Sequence, residues 1–219
     1  MRNFLNSLHR LVLPIGIIND NSINILGTAF LISDNLICTT YHNIANQLNL
    51  VIINPKINNI NEFQNYNDKT CNYSRIELLE ASPHRDIAIF KIEGQVVDTE
   101  SIFEFVEAPV LSEMIIVGYP HSVEDPEGRF ILTFQKTYIG SKILLNSELG
   151  NIQNKNYILN TQTRPGQSGS PVFDRNFNVI GMLIGSFKLE VGAIVGGINP
   201  SSLNQTSYVI SSEYIKEML

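Results

Sequence analysis

Residues 166–174 read Gly-Gln-Ser-Gly-Ser-Pro-Val-Phe-Asp, and the rest of the chain is best read outward from them. Ser168 stands between glycines, just before a proline and a short apolar run, which suits a nucleophile on a tight loop. Glycines reach backbone conformations closed to other residues and let a substrate carbonyl approach the main chain. The N–H groups of Gly166 and Ser168 are then placed to converge on a developing oxyanion, a large term in acyl transfer. A Gly-x-Ser-Gly string alone is also a common turn, so the chemistry needs further residues.

A serine hydroxyl needs a base, and the base needs an orienting carboxylate. The chain holds four histidines: His9, His42, His84 and His121. His42 follows two apolar runs, Gly27–Ser33 and Leu36–Thr40, joined at Asp34-Asn35, which reads as a hairpin delivering a histidine at its end. Asp86 opens the apolar segment Asp86–Ile92 and is the candidate carboxylate. His84 precedes it closely but is expected to face away, and His9 and His121 are expected to be surface or loop histidines.

In the order His42, Asp86, Ser168, and at these spacings, the chain resembles the chymotrypsin-like serine peptidases. It looks nearest to the bacterial HtrA-like and staphylococcal glutamyl endopeptidase branches. Thr28–Ile44 is similar to their histidine segment, Asp86–Ile92 to their Asp-(Ile/Leu)-Ala strand, and Gly166–Gly181 to the glutamyl endopeptidase serine segment. The resemblance implies an all-β fold of two antiparallel six-stranded β-barrels with a short C-terminal helix. The expected parts of this single unit, 1–219, are an N-terminal barrel over 10–95, a C-terminal barrel over 109–210 and a helix over 211–219. It further implies a serine endopeptidase with Ser168 as nucleophile, His42 as base and then acid, Asp86 as orienting carboxylate, and an oxyanion hole at Gly166 and Ser168. A module that keeps the barrels for binding and has lost the chemistry is the alternative.

Departures from that family bear on specificity. Thr163 matches the threonine with which glutamyl endopeptidases read an acidic side chain, but Leu183 stands where they carry a histidine. Without that partner a buried glutamate would be poorly offset. Thr163, Leu183 and Gly185 are therefore expected to line a pocket for a small or apolar P1 residue, with Arg164 at its approach. Gln167 stands where digestive trypsins place the aspartate that pairs with a new N-terminus, so activation by N-terminal cleavage is not expected and a partner or sensor protein is. Residues 187–207, rich in Gly, Asn and Ser, read as a surface insertion, with a lid over the pocket as the alternative.

Composition fits one compact enzyme. The 219 residues are 43% hydrophobic and 16% charged, with a net charge of −6 and a sequence pI near 5.2. Basic residues are scattered, which argues against nucleic acid as partner; a protein or peptide substrate is expected. The longest apolar run, Leu11–Ile18, is too short to span a membrane and is broken by Pro14 and Gly16. Two cysteines are too few for a disulfide framework, and a cytoplasmic setting is expected, or a secreted one if a signal peptide has been removed. No cofactor or metal is expected; Glu124, Asp125 and Glu127 around Pro126 fit no calcium loop well. The Asn-rich stretch 54–72 reads as a long loop near the cleft and 93–109 as the connection between barrels. Leu11–Ile18, Asp86–Ile92, Phe130–Leu145 and Ala193–Gly196 are among the expected strands.

Overall fold

The structure, a computed structural model, describes residues 2–19, 22–94, 103–123, 130–147, 149–186 and 206–219. The chain runs α1 (Arg2–Leu11), β1 (Val12–Asn19), β2 (Ser22–Leu31), β3 (Leu36–Thr40), α2 (Tyr41–Ile44), β4 (Leu50–Pro55), β5 (Cys71–Ser82) and β6 (Ile87–Ile92). It continues through β7 (Glu113–Gly118), β8 (Thr133–Asn146), β9 (Gln153–Leu159), β10 (Pro171–Phe173), β11 (Val179–Ser186), β12 (Ser207–Ser211) and α3 (Ser212–Glu217). The strands close two antiparallel barrels, ordered β1-β2-β3-β6-β5-β4 and β10-β11-β12-β9-β8-β7. This is the chymotrypsin-like architecture, with the short C-terminal helix as expected.

The sequence builds the first barrel from branched apolar residues that suit a pleated, half-buried surface. Ile15, Phe30, Ile37, Ile52, Ile53, Ile87, Ile89 and Phe90 are all essentially buried. Each such side chain contributes about 1.5–3 kcal/mol by leaving water, most of which offsets chain entropy. β6 is buried almost throughout rather than on alternate positions. The main apolar cluster does not stop at the barrel wall. It runs on through Val117, Tyr119, Phe173 and Met182 of the second barrel, while Ile116, Ile139, Leu159, Val172 and Leu183 fill that barrel's own interior. Phe103, from the connection between the barrels, is wedged between Phe30 and Phe173, at centroid distances of 6.4 and 5.0 Å.

Several elements differ from the sequence reading. The first residues form helix α1, whose Leu8 and Leu11 enter the core; the spacing Leu5, Leu8, Leu11 carries that signal. His9 is buried with them, not a surface histidine. β1 accordingly starts at Val12, and β8 at Thr133, three residues later than expected. Asp86 is not the first residue of a strand but the last of the turn 83–86. The Asn-rich stretch is a loop whose side chains bond their own main chain: Asn61 N–H to Asn59 Oδ1 at 2.9 Å and Asn67 N–H to Asn65 Oδ1 at 3.0 Å. These are Asx turns, and they give two of the stretch's asparagines a structural role. Gln64 docks that loop on the second barrel by exchanging two hydrogen bonds with the main chain of Leu132, at 2.9 and 2.8 Å. The expected strand 193–196, most of the insertion at 187–207 and the acidic loop 124–127 lie outside the described residues.

Candidate active site

The loop carrying Ser168 is fixed by its two glycines. Gly166 has φ +94° and Gly169 φ +88°, both in the left-handed region. A Cβ at 169 would strike the Thr28 carbonyl and the Thr39 hydroxyl; one at 166 would strike the Tyr119 carbonyl and the Ser122 hydroxyl. Between them Gln167 is fully buried. Its Oε1 accepts from the Arg164 N–H at 2.8 Å and its Nε2 donates to Gln135 Oε1 at 3.3 Å. Gln135 in turn donates to Thr161 Oγ1 at 2.6 Å and the Gln162 carbonyl at 3.1 Å. Burial makes such amides costly unless paired, so the chain of bonds holds the loop in one shape. The Gln167 N–H turns to the Arg164 carbonyl at 3.1 Å, whereas no acceptor among the described residues takes the N–H of Gly166 or Ser168. That alternation leaves free the two donors an oxyanion requires.

Thr28 of β2 is the main tie between this loop and the first barrel. Its N–H donates to the Ser168 carbonyl at 2.9 Å and its hydroxyl to the Gly166 carbonyl at 2.7 Å. The same hydroxyl accepts from the Tyr119 N–H at 3.3 Å. Asn43, the residue after His42, donates from Nδ2 to the Ser168 carbonyl at 3.0 Å. A Cβ at residue 27 would collide with the Asn43 amide, so Gly27 leaves room for this contact. The segment of His42 is thereby tied to the main chain of Ser168 across the barrel seam.

His42 sits in the short helix α2 at the end of β3. Asp86 holds it twice: Oδ2 lies 2.6 Å from His42 Nδ1, and Oδ1 accepts the His42 N–H at 2.7 Å. The Tyr41 N–H donates to the Asp86 carbonyl at 3.1 Å. Asp86 has φ +56°, a left-handed conformation that aspartate tolerates better than most residues. An ionised carboxylate only accepts, so the Nδ1 contact places the ring proton on Nδ1 and leaves Nε2 as the basic atom. His84, two residues earlier, is in the same turn; its carbonyl accepts from Asn154 Nδ2 of β9 at 2.7 Å.

The Ser168 hydroxyl donates to the Ile184 carbonyl at 2.8 Å. A hydroxyl has one proton to give, so in this conformation it is not given to His42. Ile184 is the extra residue of a bulge where the β11–β12 register shifts between Leu183 and Gly185. Bulges re-aim backbone groups and recur beside active sites.

The residues expected to line the specificity pocket separate. Thr163 is buried, and Ser207 Oγ lies 2.9 Å from both Thr163 Oγ1 and the Thr161 carbonyl. Beside Gly185 no atom of the described residues stands within 4 Å of where a Cβ would be. Leu183 corrects the expectation: it is fully buried in the second barrel's own core, because β11 turns residue 183 inward. The sequence reading missed Thr28, Asn43, Gln135 and Asn154. No local pattern marks them, since each acts on residues far away in the chain.

Among the described residues no group of three His, Cys, Asp or Glu side chains could hold a metal ion, and no helix is long and apolar enough to cross a membrane. The two thiols are unpaired; burial raises the pKa of both, most strongly for Cys38, which is an inert core residue 3.7 Å from Met182 Sδ.

Comparison with known proteins agrees with this fold. The fold is similar to the Rv3671c protease of M. tuberculosis in its active form, at 17% identity and TM-score 0.70, covering 96% of this chain and 80% of that one. The MamO protease domain of Magnetospirillum magneticum, in its apo form, aligns at 11% identity and TM-score 0.70, with 97% of each chain covered. The inactive form of the Rv3671c protease aligns at 18% identity and TM-score 0.66, covering 96% of this chain and 88% of that one. A search of curated protein sequences gave no match. The family model described as the trypsin-like peptidase domain matches residues 27–182, a span that holds His42, Asp86 and Ser168, and the chain belongs to that family.

Proposed function

We propose that the protein is a serine endopeptidase in which Ser168, His42 and Asp86 form the catalytic triad. The observations that carry this reading are the doubly bonded His42–Asp86 pair and the hydrogen bond from Asn43, the next residue after His42, to the Ser168 carbonyl. Substrate entering the cleft takes over the Ile184 carbonyl, and the freed Ser168 hydroxyl turns to His42 Nε2. Oγ attacks the scissile carbonyl while Nε2 removes its proton, and Asp86 stabilises the imidazolium. The Gly166 and Ser168 N–H groups receive the oxyanion. The tetrahedral intermediate collapses to an ester on Oγ as His42 hands its proton to the leaving amine. Water, deprotonated by His42, then releases the acid and restores the serine.

The P1 side chain in this reading is small or apolar. The engagement of the Thr163 hydroxyl by Ser207, the burial of Leu183 and the lack of any described atom beside Gly185 all support it. In the resting conformation the Ser168 hydroxyl is engaged by Ile184, which is compatible with control by a specific substrate or an activating partner protein. Incubation with a diverse peptide library, with product termini read by mass spectrometry, tests the proposal. Internal cleavage after small or apolar residues by the wild type, absent in Ser168→Ala, is the expected result. Cleavage after acidic or basic residues would overturn the pocket assignment. No cleavage by either chain, with the library found bound intact, would favour a binding module.

A further inference from the structure

The turn that carries Asp86 belongs to the first barrel in sequence, yet its two preceding residues are gripped by the second. At residue 84, the buried Asn154 of β9 donates to the main-chain carbonyl at 2.7 Å. At residue 85, the arginine Nη1 lies 2.8 Å from Glu217 Oε2, and its guanidinium carbon stands 4.4 Å from the ring centroid of Tyr214, both on α3. Tyr214 is itself anchored: its hydroxyl accepts the Lys155 N–H at 2.9 Å, and Lys155 Nζ meets Glu213 at 2.9 Å. Lys155 is the neighbour of Asn154, so β9 and α3 form one clamp that closes on residues 84 and 85.

Within its own barrel the turn is held through Asp86, whose carbonyl takes the Tyr41 N–H at 3.1 Å and whose Oδ1 takes the His42 N–H at 2.7 Å, while the residues before it add bonds internal to the turn. The Arg85 N–H reaches the Ser82 carbonyl at 3.1 Å and the Asp86 N–H the Pro83 carbonyl at 3.2 Å. The left-handed φ of Asp86 gives the aspartate little backbone preference of its own. A planar guanidinium fits this clamp because it can pair with a carboxylate at its edge and stack on an aromatic ring with its face.

We infer that Arg85 and Asn154 are positioning residues for the triad acid: through them β9 and the C-terminal helix fix the turn 82–86 so that the Asp86 carboxylate stays on His42. This rests on Asp86 being the acid of the proposed triad. It makes the alignment of two first-barrel residues depend on how the second barrel and the chain's last helix are seated. Loosening the clamp misorients the imidazole without touching substrate, so turnover falls about 10- to 100-fold while KM changes little.

The test reads the imidazole directly. The full chain is prepared with 15N-labelled histidine, and His42 is assigned with His42→Ala. The ring-nitrogen shifts then report which nitrogen carries the proton, whether or not the protein cleaves anything. Wild type is expected to hold the Nδ1–H tautomer, and Asp86→Asn serves as the reference for its loss. Arg85→Ala and Asn154→Ala, checked for folding by circular dichroism, should each move the ring toward a mixture of tautomers, and Arg85→Lys should restore part of the wild-type pattern. The inference is overturned if both alanine variants keep the wild-type ring pattern, or if the wild-type ring is not in the Nδ1–H form. If peptide cleavage fails but the ring responds as expected, the clamp stands and the peptidase reading falls.

Discussion

The loop around Ser168 and the turn around Asp86 are held by different means. The serine loop is locked from inside. Gln167 and Ser170 are fully buried, two glycines occupy conformations and spaces that admit no Cβ, and Thr28 binds two of the loop's carbonyls. The aspartate turn is held from both sides: Asp86 is bonded to Tyr41 and His42 of its own barrel, and the residues before it to one buried amide and, through a part-buried arginine, to the short helix α3. Placement of the proposed nucleophile is thus a packing property, inseparable from the seam between barrels. Acid placement depends on a few contacts that can be lost while the fold survives. Substitutions in the first region should cost stability and activity together; those in the second should cost activity alone.

The sharpest break of that contrast is chemical. Ser168→Ala removes the proposed nucleophile and only one side-chain hydrogen bond, that to Ile184. Turnover of a cleaved peptide should fall by about 10⁶-fold, with unfolding free energy changed by less than about 1.5 kcal/mol in a urea titration. Asp86→Asn should lower kcat on the order of 10⁴-fold by favouring the wrong tautomer. Next comes Gly169→Ala, where strain at φ +88° adds to a collision with Thr28. A loss of more than about 3 kcal/mol in chemical denaturation is expected, and a smaller loss would mean that the loop is less tightly locked than its contacts imply. Gln167→Met keeps the volume but strands the Arg164 N–H and Gln135; about 1–3 kcal/mol of stability should go, and kcat should fall by about 10²-fold as the oxyanion donors shift.

The smallest effect belongs to neither region. Burial lowers the pKa of His9 on α1 below its ordinary 6.5. The stability contributed by the neutral ring is complete above 6.5 and is lost as pH falls through the lowered folded value. Wild type should therefore lose more Tm than His9→Gln between pH 7.5 and a pH below the lowered value, while the two proteins cleave peptide equally at neutral pH. Unequal cleavage there would couple α1 to the site.

What the sequence makes legible follows the reach of each signal. Ser168, His42 and Asp86 stand in local patterns: a glycine-flanked serine, a histidine after a hairpin, an acid before an apolar run. The strands of both barrels show through their apolar runs, with β3 and β10 at the expected bounds. Long-range pairing does not show. Nothing around Arg85 marks Tyr214 and Glu217 as partners, nothing around Gln64 points to Leu132, and nothing local says that β11 turns Leu183 into the core. The helix α1 was within reach, since Leu5, Leu8 and Leu11 recur at helical spacing. Asp86 ends a turn rather than opening a strand, and the sequence does not separate the two because an acid ahead of an apolar run suits both.

The central claim is that Ser168 is a nucleophile activated by the His42–Asp86 pair. Reaction with a fluorophosphonate, followed by peptide mapping of the adduct, tests it most directly. The account predicts one adduct, on Ser168, formed by the wild type and lost or slowed by orders of magnitude in His42→Ala. An adduct on another residue, or equal labelling of Ser168 in wild type and His42→Ala, would contradict it.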